Sequence, residues 1–189
     1  FEELKLESKI KHYQKDIRDL AKMIEIISSE KPDFLFHLAA QPIVSTSYSD
    51  PIETISSNVM GTANILEALK ASNHKCTAII ITSDKAYDNV EQVWGYKEND
   101  KMGGRDIYSG SKGAAELILK SYYHSFFKNK SSNVKLAIGR AGNVIGGGDW
   151  AKDRIVVDCM EAWSKKNSVE IRSPEATRPW QHVLEPLSG

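Results

Sequence analysis

The sequence predicts an α/β fold, a doubly wound parallel sheet, from three observations. Helical and strand periodicities alternate along the chain, the candidate strands are apolar on both faces, and the candidate helices carry a single apolar stripe. Leu20, Met23, Ile24 and Ile27 repeat at i, i+3, i+4 and i+7, the spacing of a one-sided helix. Lys31-Pro32-Asp33 ends it, and Phe34-Leu35-Phe36-His37-Leu38-Ala39 reads as a mostly buried strand. Asp50-Pro51-Ile52-Glu53 is a helix start: Asp50 as N-cap, Pro51 as first helical residue, Glu53 as capping-box acid. That helix passes through Ile55, Val59, Leu66 and Leu69 to about Ala71. Thr77-Ala78-Ile79-Ile80-Ile81-Thr82 follows as a β-branched strand. A helix over 108–128, a strand over 134–140, a helix over 155–165 and a short strand Val169-Glu170-Ile171 complete the pattern.

Composition narrows the function classes. At 189 residues the chain holds one domain, or one domain and part of another. Lys+Arg and Asp+Glu are each 25, so no global basic field exists for unspecific binding to nucleic acid or an anionic membrane. Cys76 and Cys159 belong to no CxxC pair and cannot form a disulfide framework, which makes a reducing cytoplasm the expected setting. The longest apolar run is about six residues, against the roughly 20 of a membrane-spanning helix. Phe1-Glu2-Glu3-Leu4-Lys5 does not read as a signal peptide, and with no initiator Met the expectation is a piece of a longer polypeptide. The five histidines have no ligand-like spacing, so no metal site is expected.

In an open parallel sheet, ligands bind outside the carboxyl ends of the strands. Those ends are Ala39-Ala40-Gln41, Ser83-Asp84-Lys85 and Ala141-Gly142-Asn143. The connection over 84–107 has little periodicity, and a loop of that length inside a compact unit is usually functional or disordered. Neither GxGxxG, a phosphate-binding GxxxxGK[ST], HExxH nor GxSxG occurs. Tyr108 and Lys112 lie four apart, on one helix face, so an ammonium can approach a phenol and favour its ionised, basic form. Taken alone, the pair reads better as exposed helix neighbours. Ser83, at a strand end 25 residues before Tyr108, completes a Ser-Tyr-Lys series.

That series, with Asp16-Ile17-Arg18-Asp19, His37-Leu38-Ala39-Ala40, Asn58-Val59-Met60-Gly61-Thr62, Tyr108-Ser109-x-Ser111-Lys112 and Arg140-Ala141-Gly142-Asn143-Val144-x-Gly146, resembles the extended short-chain dehydrogenase/reductase superfamily, in its nucleotide-sugar-modifying branch. The resemblance runs from about Lys9 to Gly189. Thr82-Ser83-Asp84-Lys85-Ala86-Tyr87, Gly147-Gly148-Asp149-Trp150 and the run from Arg178 through Trp180 and His182 to Gly189 resemble the 4,6-dehydratases that act on CDP-linked sugars. The resemblance implies a Rossmann-like fold lacking its first strand and Gly-rich loop over 1–140, then the beginning of a substrate lobe over 141–189. It implies a lyase that uses NAD and favours CDP-glucose, serving deoxysugars of surface polysaccharides such as O-antigen, and acting as a homodimer. Aromatic residues Tyr122, Tyr123, Phe126 and Phe127 would contribute to the subunit contact or lie under the substrate lobe.

Residue roles follow from the same resemblance. Tyr108 would be the base at the sugar 4-hydroxyl, Ser83 its hydrogen-bonding partner, and Lys112 the cation holding the phenolate and a cofactor ribose. Asp84 would be the acid for the departing 6-hydroxyl. Lys85 stands where relatives carry Glu as the C5 base, so it is either a base of lowered pKa or an anchor for water or enolate. Asp16 and Ile17 would meet the adenine, and Leu38, Ala39 and Ala40 the cofactor's ribose and diphosphate. Asn143, Arg154 and Arg178 would hold the substrate diphosphate and its flanks. Val157 replaces an expected proline. The alternatives are another nucleotide-sugar dehydratase or 4-epimerase, and a catalytically incomplete fragment of one.

Overall fold

Three parallel strands, β1 (Phe34–His37), β2 (Cys76–Ile81) and β3 (Val134–Gly139), form a sheet in that order. His37 pairs with Ile80, and Ile80 in turn with Ile138, so all three strands end along one edge. The computed structural model describes residues 5–189; Phe1 to Leu4, which begin the unit expected over 1–140, lie outside the described residues. Helix α1 (Leu20–Glu30) precedes β1, and between the strands run α2 (Val44–Ser49), α3 (Pro51–Ile55), α4 (Gly61–Ser72) and α5 (Ile107–Tyr122). A π-helical turn, Ser56–Met60, joins α3 to α4, so the helix expected from Pro51 onward is one run with a local widening. A second π turn, Tyr123–Phe127, extends α5. Beyond the sheet, β4 (Asn143–Ile145) pairs in parallel with β5 (Trp180–His182), flanked by α6 (Ile155–Ser164) and α7 (Leu184–Ser188). Among the described residues no helix is long and apolar enough to cross a membrane.

The core lies on one face of the sheet. Cys76, Ala78 and Ile80 of β2 and Val134 of β3 meet Met23 and Ile27 of α1, Leu66 and Leu69 of α4, and Leu119 of α5. Leu66 and Leu69 have no exposed surface, and burying such a side chain contributes about 1.5–3 kcal/mol. Asp19 caps α1 by accepting from the Lys22 amide, and Lys31 stops it with a positive φ of 46°.

Four features differ from the sequence reading. The opposite face is open: Phe34 is 65% and Phe36 59% exposed, because the described residues place α1, α4 and α5 on the same side. Residues 169–171 are no strand; they find no ladder partner, and the second sheet is made from β4 and β5 instead. Helix α2, too short and polar to show a periodicity, went unpredicted. Asp50 caps α3 as expected, accepting from the Glu53 amide at 3.0 Å, but the reciprocal half of the capping box is absent. The Asp50 amide is already bonded to Thr46 of α2, which frees the Glu53 carboxylate to accept from Ser57 at 2.9 Å and to pair with Arg18.

His37 ends β1 inside the protein, with Nε2 3.1 Å from the Thr62 hydroxyl. Thr62 donates its own proton to the Asn58 carbonyl at 2.7 Å, so the imidazole donates through Nε2–H. Burial, aided by the charge of Lys112, lowers its pKa from 6.5 to about 4. The unfolded chain takes up this proton below pH 6.5 and the folded chain only near pH 4. Stability should therefore fall as pH drops across that window, by about 3 kcal/mol for a shift of this size. Chemical denaturation of wild type and His37→Gln between pH 7 and pH 4 checks this: the variant should lose much of the slope.

Candidate active site

The three strand exits converge as the topology requires. After β2, Thr82 donates its amide to Gly139 at 2.9 Å and Asp84 donates its amide to the Ala141 carbonyl at 3.1 Å. The exit of β2 is thus hung on the exit of β3. Ser83 caps a short 3-10 turn, Asp84–Ala86, its hydroxyl accepting from the Lys85 amide at 3.2 Å. The same hydroxyl reaches Asp84 Oδ1 at 3.0 Å and hydrogen-bonds the Tyr108 phenol. With one proton it serves these two neighbours in turn; given to Tyr108, it favours the phenolate.

Helix α5 presents the other half. Asp106 caps it by accepting from the Ser109 amide at 2.9 Å and the Ser109 hydroxyl at 2.6 Å. This fixes the start of the helix and hence the face carrying Tyr108 and Lys112. Both side chains are buried, and Lys112 Nζ lies 6.0 Å from the Tyr108 ring centre. The spacing led us to expect that Lys112 would lower the Tyr108 pKa; the structure shows the opposite balance. Burial dominates and raises it, and Asp84 and Asp106 add to the rise. The Ser83 hydrogen bond and the charge of Arg154 oppose it. Burial likewise lowers the pKa of Lys112. Desolvation outweighs a cation placed at this distance.

A cleft of about 700 Å³ opens outside the exit of β1, lined by Asp16, Ile17, Ala39, Ala40, Gln41 and Ser57 among others. Its walls are tied to the helical layer. Asn58, buried in the π turn, accepts from the Gln41 amide at 2.8 Å and donates to the Gln41 carbonyl at 3.1 Å and Ser111 Oγ at 2.9 Å. Asn64 donates to the carbonyls of Ile17 and Arg18 at 3.0 and 2.9 Å. At Gly61 an added Cβ would stand 2.4 Å from Ile17 Cδ1, so the Ile17 side chain would have to move. Arg18 pairs with Asp16 and holds its carboxyl down at about 2, so Asp16 is an anion at neutral pH. Leu38, by contrast, is mostly exposed.

The expected substrate residues are brought together unevenly. Asn143 pairs in register with Trp180, and Gly142 admits Pro179, whose Cγ would lie 2.7 Å from an added Cβ. The Arg178 stretch is thereby drawn towards Asn143, although Arg178 itself is exposed and donates to its neighbour Thr177 at 2.6 Å. Arg154, at the start of α6, lies close enough to Tyr108 for its charge to act on the phenol; its Nε is buried without a hydrogen-bond partner, 3.6 Å from the Asp149 carboxylate. No group of three or more His, Cys, Asp or Glu side chains is placed to hold a metal among the described residues. Sequence reasoning gave no role to Asn58, Glu116 or Arg140. For Glu116 a signal existed, since it continues the Tyr108–Lys112 spacing by one more helical step.

A parallel sheet whose strand exits gather a Ser, a Tyr and a Lys, with a cleft outside the first exit, has the arrangement of an extended short-chain dehydrogenase/reductase. The chain belongs to the family described as GDP-mannose 4,6 dehydratase, whose model matches residues 2–186. It is 51% identical to a CDP-glucose 4,6-dehydratase of Salmonella typhimurium, across 100% of this chain and 54% of that protein. It is 32% identical to a CDP-paratose 2-epimerase of Salmonella typhi over 60% of this chain and 38% of the other. Among solved structures, a UDP-glucose 4-epimerase of Thermotoga maritima superposes with a TM-score of 0.80 at 24% identity, covering 93% of this chain and 56% of that one. A dTDP-glucose 4,6-dehydratase of Streptomyces venezuelae gives 0.77 at 18% identity, covering 89% and 49%. The fold is therefore Rossmann-like, and the chain spans about half the length of the curated relatives it matches.

Because Arg154 opposes the rise of the Tyr108 pKa, Arg154→Ala should raise that pKa further, while Arg154→Lys should leave it nearer wild type. An NMR titration of ring-labelled tyrosine, with Tyr108→Phe assigning the signal, checks the direction.

Proposed function

We propose that this chain carries the reaction centre of an NAD-dependent lyase that converts CDP-glucose to CDP-4-keto-6-deoxyglucose. The observation that carries the reading is the placement of Asp84 and Lys85 in the turn that Ser83 caps, against Tyr108. Oxidation at C4 needs only the Ser, Tyr and Lys; an acid in the same turn adds the means to expel the 6-hydroxyl. The 51% identity along the whole chain supports the CDP-glucose assignment.

The cleft suits a dinucleotide. Its small Ala39 and Ala40 side chains allow close backbone approach, and Asp16 offers an ionised acceptor at the far wall. Asp16, Ile17, Leu38, Ala39, Ala40, Tyr108 and Lys112 would hold NAD. NAD supplies the hydride acceptor for C4 and the hydride donor for C6. Tyr108 would take the 4-hydroxyl proton as a phenolate, a form that its burial opposes and that the Ser83 hydrogen bond and the Arg154 charge favour, with Lys112 at 6.0 Å from the ring and Ser83 donating to the same substrate oxygen. The resulting ketone acidifies C5–H. Removal of that proton, by Lys85 or a water it holds, forms the C5–C6 double bond as Asp84 protonates the departing 6-hydroxyl, which leaves as water. Hydride addition at C6 and protonation at C5 complete the product. Asn143, Arg154 and Arg178 would hold the diphosphate, with phosphate recognition confined to these few groups because the chain has no net charge.

The same reading divides the chain into a dinucleotide-binding unit over 1–140 and the beginning of a substrate lobe over 141–189. It also assigns a cytoplasmic homodimer making deoxysugar precursors of surface polysaccharide; the half-exposed Tyr123 and Phe126 at the end of α5 support a subunit contact there.

Incubating the full-length protein with CDP-, dTDP- and UDP-glucose should give a 4-keto product, read by its alkaline absorbance, from CDP-glucose. Turnover of another sugar nucleotide alone would sink the CDP assignment, and turnover without a ketone product would favour an epimerase. Asp84→Asn should lower product formation by roughly 10²–10⁴-fold, the range for losing a general acid. Titration of NAD into the 189-residue chain tests the fragment alternative.

A further inference from the structure

Tyr108 and Lys112 are two members of a three-residue series. Glu116 follows at the next helical step, on the same face of α5, and has no exposed surface. Its carboxylate accepts from three donors. Thr82 Oγ1 donates to Oε1 at 2.6 Å, Arg140 Nε donates to Oε1 at 2.7 Å, and Arg140 Nη2 donates to Oε2 at 2.5 Å.

Both residues it holds frame the reactive turn. Thr82 immediately precedes Ser83. Arg140 precedes Ala141, whose carbonyl accepts the Asp84 amide. The Arg140 guanidinium also stacks over the Tyr87 ring, 4.6 Å from its centre, just past the end of the turn, and donates to the Glu98 carbonyl at 3.2 Å. The turn bearing Ser83, Asp84 and Lys85 is therefore gripped before its first residue, at its amide and after its last. Every grip leads to one carboxylate on the helix that carries Tyr108 and Lys112.

We infer that Glu116 is a positioning residue that sets the distance between the Ser83–Asp84 turn and the Tyr108–Lys112 pair, with Thr82 and Arg140 as its two arms. The inference rests on the proposed dehydratase reading for its catalytic consequence, but the anchoring itself does not depend on any substrate. It places the oxidising groups and the eliminating groups on a common datum, so that loosening Glu116 disturbs both steps while leaving ligand binding intact.

The test avoids stranding a buried carboxylate or guanidinium. Thr82→Val keeps the volume and removes the hydroxyl; Thr82→Ser keeps the hydroxyl and removes the methyl. If packing alone mattered, Val would be the better tolerated of the two. In the full-length protein, Thr82→Val should speed amide exchange in the segment 84–87 at least about tenfold. It should also lower kcat on CDP-glucose by about tenfold or more, with KM changed less than twofold, while Thr82→Ser stays near wild type on both. Exchange at 84–87 unchanged in Thr82→Val would overturn the inference, as would faster exchange with kcat unaltered, or a loss equal in both variants. A wild type inactive on all three sugar nucleotides would instead overturn the functional reading, and amide exchange would still decide the anchoring.

Discussion

A carboxylate with no exposed surface must find partners for its oxygens inside the protein, and Glu116 finds them in Arg140 and Thr82. Removing one partner of such a pair typically costs about 3–5 kcal/mol, because the other is left charged and unpaired. The constraint propagates outward. Arg140 can reach Glu116 only if β3 lies beside β2 in the observed register, and Thr82 only if β2 ends where it does. The long connection from β2 to α5 is held through Tyr87, Glu98 and the bridge between Tyr87 and Met102. A segment with little sequence periodicity is thereby made part of the rigid frame.

The sheet contributes a different kind of order. Parallel strands in register deliver their exits to one edge, and the residues after each exit inherit that placement without needing contacts of their own. Ala39, Ser83 and Asn143 are gathered in this way from positions more than 40 residues apart in the chain. The buried groups near that edge then modify one another. Burial lowers the pKa of both His37 and Lys112, and the charge of Lys112 adds to the lowering at His37.

Much of this was legible in the sequence, because strand and helix periods, helix stops and the Asp50–Pro51 start are local properties of the chain. The three strands and the long helices fall within a few residues of their expected bounds, and the Ser-Tyr-Lys series meets at one edge. What escaped was relational. Glu53 looks like a capping-box acid until α2, invisible to periodicity, takes the Asp50 amide. Val169 and Ile171 have strand-forming side chains but no partner to pair with. The direction of the Tyr108 shift depends on how deeply the ring is buried relative to its distance from Lys112, and neither quantity is written in a four-residue spacing. Glu116 stood in plain view, yet a buried acid is indistinguishable from a surface one until its partners are known.

The π turn at Ser56–Met60 has a consequence for how this segment can vary. A π turn accommodates one residue more than an α-helical turn, and each residue advances a helix by about 100°. Upstream of the turn, Asp50 and Glu53 are fixed by α2 and Arg18; within it Asn58 grips Gln41; downstream Gly61 abuts Ile17 and Leu66 faces the sheet. A one-residue deletion that restored a regular helix would leave the groups on either side near their partners but would turn residues inside the turn by up to about 100°. The extra residue of the π turn is what lets Asn58 face Gln41 while both flanks keep contacts of their own.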